Sequence, residues 1–335
     1  MCAATARSMR LALLTDTESI HTLIMKIAFV FPGQGSQAVG MLDAWSGVAA
    51  VTDTVARASQ ALGQDLGALI AQGPAEQLNL TTNTQPAMLT AGAAFYAAWC
   101  AAGGRKPDVV AGHSLGEYAA LTAAGSLALE DAVRLVRVRA DAMQAAVPVG
   151  TGAMAAILGL DDDAVRAACA DAAQGEVVEA VNFNAPAQVV IAGHKAAVER
   201  ACELAKAAGA KRALILPVSA PFHSSLLKPA ADVLSAALAD VAVAAPQIQV
   251  INNVDVASPT EPGAIRDALV RQAWHPVRWV ETLRAMKAQG VTHIIECGPG
   301  KVLAGLTKRI DPELTGLAIT DPASLEAALA AVNGN

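Results

Sequence analysis

Short apolar runs alternate with helix-length segments along most of the chain, and this alternation limits the possible folds more than any other feature. The run IAFVF at 27–31 precedes the glycine-rich PGQGS, residues 87–103 have a helical pattern, and DVVAG at 108–112 leads into another helical segment. A continuous apolar run bounded by turn residues is typical of a strand buried on both faces of a parallel sheet. The sequence therefore predicts an α/β fold with a doubly wound parallel sheet.

The pattern changes between residues 150 and 219. Here the segments follow the order strand, helix, strand, strand, helix, strand, which is the order of the ferredoxin-like split βαβ unit. After residue 219 the α/β alternation resumes. We therefore expect an α/β-hydrolase-like large subdomain formed by residues 25–149 and 220–335, with a ferredoxin-like small subdomain inserted at 150–219.

The first segment of the chain, residues 1–24, does not fit this pattern. Its apolar run LALL is too short for the apolar region of a signal peptide, and Asp16 and Glu18 fit poorly with a transit peptide. Met25 is followed at once by the strand-like KIAFVF. We interpret residues 1–24 as a non-native or disordered extension, with a weak transit peptide as the alternative.

The composition argues against several classes of protein. A net charge of −6 and an aromatic content of 3% are unfavourable for a nucleic-acid-binding protein. No apolar run approaches the roughly 18–20 residues of a membrane span. The five cysteines are scattered without paired or metal-ligating spacing, which suggests free thiols in a reducing compartment. We expect a cytoplasmic protein that binds neither nucleic acid nor membrane and holds no metal.

The segment GHSLG at 112–116 matches the pattern G-x-S-x-G. In a nucleophile elbow, this serine lies on a sharp turn from a strand to a helix, and the next backbone N–H helps to stabilise an oxyanion. The positive end of the helix dipole adds a favourable field for developing negative charge. Because an apolar strand precedes Ser114 and a helix follows it, we predict that Ser114 is a catalytic nucleophile. The alternative is a serine that only caps the helix.

A nucleophilic serine needs a general base, and the chain has six histidines. His223, in LPVSAPFHSS, follows the last strand of the predicted insert, so its loop can lie over the edge of the sheet. His275, in AWHPVRW, is the second candidate. The other histidines are disfavoured by their positions in the sequence: His21, His113, His194 and His293.

Five separated segments carry a specific resemblance. They are FVFPGQGSQAVGM at 29–41, GHSLGEYAA at 112–120, VPVGTGAMAAILGL at 147–160, NFNAPAQVVIAG at 182–193 and ECGPGKVLAGLTKRI at 296–310. Together, and in this order, they resemble the malonyl-CoA:acyl carrier protein transacylase family. The resemblance runs from about residue 26 to residue 330, which is nearly the whole chain after the first segment.

The resemblance implies specific catalytic residues. The nucleophile of the family falls on Ser114 and its catalytic histidine on His223. In that family the imidazole is held by a backbone carbonyl, which here is that of Gln272, and no Asp or Glu lies near SAPFHSS to take this part. Asn253, in INNVD, resembles a supporting polar residue near the histidine, and His113 is a further supporting residue.

The resemblance also implies how the substrate is held. The oxyanion hole of the family uses backbone N–H groups that fall on Gln34 and Leu115. The substrate-binding arginine falls on Arg139, whose guanidinium can pair with the free carboxylate of a malonyl group through two hydrogen bonds. Without the resemblance, Arg139 reads as a solvated helical residue, since Arg134 and Arg137 lie on the same segment.

The reaction implied is a ping-pong transfer of malonyl from malonyl-CoA to the phosphopantetheine thiol of acyl carrier protein, for fatty acid biosynthesis. It needs no cofactor, since malonyl-CoA is a substrate, and the family leads us to expect a monomer. Two enzyme alternatives stay open: a free-standing acyltransferase serving a polyketide synthase, and a serine thioesterase or esterase with water as acceptor. A binding module with a degenerate site is the non-enzymatic alternative.

Overall fold

A computed structural model describes residues 25–333, so the expected extension at 1–24 lies outside the described residues. Within that range the chain forms nine strands: β1 (Lys26–Phe31), β2 (Val109–Gly112), β3 (Gly152–Leu158), β4 (Val178–Ala185), β5 (Gln188–His194), β6 (Arg212–Ile215), β7 (Gln249–Ile251), β8 (Val291–Cys297) and β9 (Thr315–Ile319).

The helices of the same range fall between these strands. They are α1 (Ala49–Leu62), α2 (Leu66–Gln72), α3 (Ala75–Leu78), α4 (Thr81–Ala101), α5 (Gly116–Ala123), α6 (Leu129–Ala146), α7 (Asp162–Ala173), α8 (Lys195–Ala207), α9 (Lys228–Ala239), α10 (Pro262–Gln272), α11 (Trp279–Ala288), α12 (Val302–Ile310) and α13 (Pro322–Asn333). Short 3₁₀ helices cover Asp43–Trp45 and Ser225–Leu227. No helix in this part of the chain is long and apolar enough to cross a membrane.

The larger sheet has five strands in the order β7-β2-β1-β8-β9, and every neighbouring pair is parallel. The central strand β1 is fully buried from Ile27 to Phe31, as its continuous apolar sequence predicts. Because parallel strands end at the same edge, the loops after β1, β2 and β7 meet there. This edge carries the residues discussed below.

The smaller sheet has four strands in the order β4-β5-β3-β6, and all its pairs are antiparallel. Helices α7 and α8 cover one face, in a cluster that includes Val165, Val198 and Ile191. The opposite face carries Met154 and Val190 towards the larger sheet. The α/β fold with an added ferredoxin-like unit is therefore confirmed, whereas the subdomain boundaries stay a prediction.

The two sheets are joined by backbone pairing as well as by the chain. Phe183 N donates to Val277 O over 3.0 Å, and Val277 N donates to Val181 O over 2.8 Å. This parallel bridge links β4 to the segment between α10 and α11. The small sheet is thus attached at a point remote in sequence from its two ends.

Helix α4 begins at Thr81, whereas its apolar pattern predicts a start at residue 87. The extra turns contain Pro86, which has no N–H to donate to the carbonyl of Thr82. That carbonyl instead accepts a hydrogen bond from Arg137 Nε over 2.7 Å. A side chain from α6 therefore replaces the missing helical bond, which sequence periodicity cannot reveal.

Candidate active site

The nucleophile candidate, Ser114, lies on the turn between β2 and α5. Its φ of 54° is in the left-handed region, which residues other than glycine seldom adopt. A Cβ on Gly112 would lie 1.8 Å from the carbonyl carbon of Gly116, and one on Gly116 would lie 2.1 Å from Phe31 O. The turn therefore needs glycine on both sides of Ser114, as a nucleophile elbow does.

His223 is the histidine that the fold brings to Ser114. Its Nε2 lies 2.6 Å from Ser114 Oγ, and its Nδ1 lies 2.9 Å from the carbonyl oxygen of Gln272. Because a carbonyl oxygen only accepts, Nδ1 carries the proton and Nε2 is left to accept from the serine hydroxyl. His223 also has a left-handed φ, of 66°, so both partners of this hydrogen bond occupy a strained backbone conformation.

The surroundings of His223 keep its ring neutral. The side chain is only 3% exposed. Burial, and secondly the positive charge of Arg139, lower the pKa of His223 to about 3. A neutral imidazole is the form that can take a proton from a serine, so the ring is ready to act as a base at physiological pH.

His113, adjacent to the serine, faces the small sheet. Its Nε2 lies 2.8 Å from Asn184 Oδ1, and its ring packs against Trp279 with the centroids 5.5 Å apart. Burial lowers the pKa of His113. Its hydrogen bond thus ties the elbow to β4.

The other histidines are engaged elsewhere. His275 Nδ1 lies 2.9 Å from the carbonyl oxygen of Arg271, at the end of α10. His293 lies near the start of β8, at the opposite edge of the sheet from Ser114, and His194 ends β5. His21 lies outside the described residues.

Arg139 lies on α6 and is 2% exposed, unlike a solvated helical arginine. Its Nη1 donates to Gln85 Oε1 over 2.8 Å, and its Nη2 donates to Gln272 Oε1 over 3.0 Å and to Ser114 Oγ over 3.1 Å. All three acceptors are neutral oxygen atoms. The guanidinium is therefore a buried cation beside the nucleophile, suited to an anionic group on a substrate.

The two residues of the expected oxyanion hole, Gln34 and Leu115, line the same cavity. Gln34 follows β1, and Leu115 directly follows the serine. Thr81 Oγ1 donates to Gln34 Oε1 over 2.8 Å, which holds the Gln34 side chain against the start of α4. Among residues 25–333, the backbone N–H groups of Gln34 and Leu115 donate to no other protein group, so both are available to an oxyanion.

Asn253 contacts the elbow and not the imidazole. Its Oδ1 accepts from Ser114 N over 2.7 Å, and its Nδ2 donates to Gly112 O over 2.7 Å. Gln272 combines two contacts, because its backbone carbonyl holds His223 and its side chain meets Arg139. These bonds connect the serine, the imidazole and the guanidinium.

Two buried residues of this network were missed by sequence reasoning. Gln85, on α4, accepts from Arg139, and Glu117, on α5, accepts from Asn253 N and Gln272 Nε2. Glu117 belongs to the segment GHSLGEYAA, so its place three residues after Ser114 was the available signal. Nothing in the local sequence around Gln85 marks it.

The reactive side chains of Ser114, His223 and Arg139 line a cavity of about 560 Å³ between the two sheets. One wall carries Gln34, Ser114, Leu115 and Arg139, and the opposite wall carries Met154 and Val190 of the small sheet. In the part of the chain that the structure describes, no group of three or more His, Cys, Asp or Glu side chains could hold a metal ion. The arrangement can perform acyl transfer through a serine.

The sequence and the fold are similar to those of known acyltransferases. A family model described as an acyl transferase domain matches residues 28–310. The chain is 59% identical over 305 residues to the malonyl CoA-acyl carrier protein transacylase of Escherichia coli K12, covering 91% of this chain and 99% of that protein.

Two solved structures show the same likeness. The acyl-carrier-protein S-malonyltransferase of Burkholderia pseudomallei 1710b is 69% identical, with a TM-score of 0.90, covering 91% of this chain and 99% of that one. A malonyl-transacylase solved in complex with its type II polyketide synthase acyl carrier protein is 53% identical, also with a TM-score of 0.90 and the same coverage. The likeness therefore extends over both sheets and the cavity between them.

Proposed function

The chain belongs to the acyl transferase domain family, and from this membership we propose that it is an enzyme that transfers malonyl groups from malonyl-CoA to the phosphopantetheine thiol of acyl carrier protein, for fatty acid biosynthesis. The observation that carries the proposal is that His223 and Arg139 both contact Ser114 Oγ, and that all three residues line a single cavity. This arrangement provides a nucleophile, a base and a cation for a charged acyl group.

In the first half-reaction, His223 Nε2 takes the hydroxyl proton while Ser114 Oγ attacks the thioester carbonyl of malonyl-CoA. The tetrahedral oxyanion accepts hydrogen bonds from the N–H groups of Gln34 and Leu115. The C–S bond then breaks, and the imidazolium returns its proton to the departing sulfur. The products are malonyl-Ser114 and free coenzyme A.

In the second half-reaction the same groups act in reverse. His223 takes the proton of the carrier protein's thiol, and the thiolate sulfur attacks the malonyl ester. The second tetrahedral oxyanion collapses with cleavage of the bond to Ser114 Oγ, which regains its proton from the imidazolium. Arg139 pairs with the malonyl carboxylate throughout, so the charged end of the acyl group keeps its place in both halves.

The contact between His223 and Gln272 supports the role of His223 without a carboxylate. A serine hydrolase of the G-x-S-x-G type carries Ser, then Asp or Glu, then His in chain order. Here His223 Nδ1 is held by the carbonyl of Gln272. This favours the transferase over a thioesterase or esterase.

A carrier protein of polyketide synthesis is the second candidate acceptor. It is favoured by one comparison, the similar transacylase solved with a type II polyketide synthase acyl carrier protein. The chemistry at Ser114 would be the same, and the surface that meets the carrier would differ.

We also propose that the enzyme works as a cytoplasmic monomer without metal or redox cofactor. The support for the absence of a cofactor is chemical, since His223 supplies proton transfer and two backbone N–H groups supply oxyanion stabilisation. The monomeric state and the cytoplasmic location are carried over from the expectations of the sequence analysis. Acyl transfer between thioester and serine needs no electron transfer.

Mass spectrometry of the intact protein and its peptides tests the function. After brief mixing with malonyl-CoA, we expect a malonyl adduct on the Ser114 peptide, which then disappears on addition of holo acyl carrier protein as the carrier gains the same mass. Ser114→Ala should form no adduct. An adduct lost to water at the same rate with and without carrier would instead identify a hydrolase, and no adduct on Ser114 would refute the proposal.

A further inference from the structure

Glu117 is a buried carboxyl group that the mechanism above does not use. It lies in the first turn of α5, three residues after Ser114, and is 2% exposed. Its Oε2 accepts from Asn253 N over 2.8 Å and from Gln272 Nε2 over 3.0 Å. Burying a carboxyl group is costly unless hydrogen bonds compensate, and here the compensating donors both belong to residues that support the site.

The hydrogen bond between Glu117 and Gln272 determines how the side-chain amide of Gln272 is oriented. Its Nε2 donates both to Glu117 Oε2 and to Ser114 O, the latter over 2.9 Å. A rotated amide would place Oε1, which cannot donate, against these two acceptors. Oε1 therefore faces Arg139, whose Nη2 donates to it over 3.0 Å. Glu117 thereby selects the end of the amide that the guanidinium meets.

The other donor belongs to Asn253, the residue whose side chain holds the elbow. Glu117 binds the backbone N–H of Asn253, and the side chain of Asn253 binds Ser114 N and Gly112 O, each over 2.7 Å. A single carboxyl oxygen therefore connects the residue that braces the serine with the residue that orients the arginine.

We propose that Glu117 is a positioning residue of the transfer reaction, whose carboxyl oxygen holds Gln272 and Asn253 so that Arg139 and Ser114 keep their relative geometry. This inference rests on the proposed function, because it takes Arg139 as the group that binds the acyl carboxylate. What matters is a hydrogen-bond acceptor at the position of Oε2, since both partners are N–H donors. The negative charge itself is not required.

Two conservative variants separate acceptor from charge. Glu117→Gln keeps a carbonyl oxygen within reach of both donors and loses the charge. Glu117→Asp keeps the charge and withdraws the oxygen by one methylene length. Acylation of Ser114 by malonyl-CoA and by acetyl-CoA would be followed for each, with thermal unfolding as the measure of folding.

We expect kcat/KM of Glu117→Gln for malonyl-CoA to stay within about fivefold of the wild type. For Glu117→Asp we expect a loss of about 100-fold with malonyl-CoA, the size of effect that a displacement of about 1 Å can cause. The loss with acetyl-CoA should be smaller, because acetyl makes no use of Arg139. The malonyl-to-acetyl ratio therefore falls in the Asp variant and is rescued in the Gln variant.

Glu296→Asp is the matched control, because Glu296 is also a fully buried carboxyl group but binds Ala304 N on α12, away from the cavity. Its malonyl-to-acetyl ratio should equal that of the wild type. A Glu117→Asp variant more active than Glu117→Gln, or an unchanged ratio in Glu117→Asp, would overturn the proposal. A wild type that forms no malonyl-Ser114 would instead refute the proposed function, so the two failures are distinguishable.

Discussion

Arg139 and His223 hold the same oxygen atom of Ser114. Arg139 Nη2 donates to Oγ over 3.1 Å, and His223 Nε2 lies 2.6 Å from it. With the guanidinium as donor to Oγ, the hydroxyl proton is directed towards the imidazole. If Arg139 binds the malonyl carboxylate as proposed above, that carboxylate competes with Ser114 Oγ for Nη2, so binding of the charged acyl group also changes the surroundings of the nucleophile. An acetyl group carries no carboxylate, so it leaves the hydrogen bond between Arg139 and Ser114 Oγ in place.

Replacing Arg139 should therefore change substrate choice more than catalysis. For Arg139→Met we expect kcat/KM with malonyl-CoA to fall by about 100-fold or more, because removing one partner of a buried charge pair costs roughly 3 kcal/mol. Acylation by acetyl-CoA should be unchanged or faster, and both rates are measured from the mass of the acyl-enzyme. Arg134→Met is the control, since Arg134 is on the same helix with its side chain 56% exposed. Equal losses for both acyl groups in Arg139→Met would contradict the carboxylate-binding role.

The same variant should shift the pH dependence of acylation. The charge of Arg139 is the second cause, after burial, of the lowered pKa of His223. Removing this cation raises that pKa, so protonation inactivates the base at a higher pH than in the wild type. The measurement is kcat/KM for acetyl-CoA between pH 4 and pH 8. An acid limb at the same pH in Arg139→Met and wild type would show that the guanidinium does not act on the imidazole.

The elbow should not tolerate a methyl group at its first glycine. In Gly112→Ala the new Cβ would lie 1.8 Å from Gly116 C, a backbone atom that cannot move without displacing Ser114. We expect loss of the acyl-enzyme together with a clear fall in melting temperature. Gly263→Ala is the matched substitution, because a Cβ at Gly263, in the first turn of α10, meets no atom within 4 Å. Retained acylation in Gly112→Ala would mean that the turn can open without loss of the site.

Glu296 should make the stability of the protein depend on pH. Burial raises the pKa of Glu296 to about 7 from its ordinary value of 4.5. The folded protein thus holds a proton that the unfolded chain releases, and stability falls as the pH rises from 4.5 to 7. Glu296→Gln cannot ionise, so its melting temperature should rise relative to the wild type between pH 5 and pH 8. A constant difference would show that Glu296 titrates normally.

Most strands of the larger sheet could be predicted, because their central residues are apolar and buried. β1 and β2 are apolar almost throughout, and burial on both faces produces that signal, whereas β8, VTHIIEC, is apolar only in part. β9, TGLAI, was missed because it is a half-buried edge strand with a glycine in it. The helices between residues 49 and 78 were not assigned either.

Some residues of the site could be predicted from their local sequence, and others could not. Ser114 is marked by its local sequence, since the elbow needs glycines at fixed positions. His223 and His275 could not be separated by position alone, because the choice depends on which loop reaches the edge of the sheet. The importance of Glu117 depends on Asn253 and Gln272, which are more than 130 residues away along the chain, so no local pattern reports it.

The backbone bridge between β4 and Val277 fastens the small sheet at a further place, besides the two chain connections at its ends. Swinging the small sheet outward would break the hydrogen bonds that Val277 forms with Val181 and Phe183, so such a motion carries a cost that a sheet held only at its two chain ends would not have. In the proposed reaction the order of the two half-reactions follows from the covalent intermediate, because the thiol of the carrier protein attacks malonyl-Ser114, which the first half-reaction has to form.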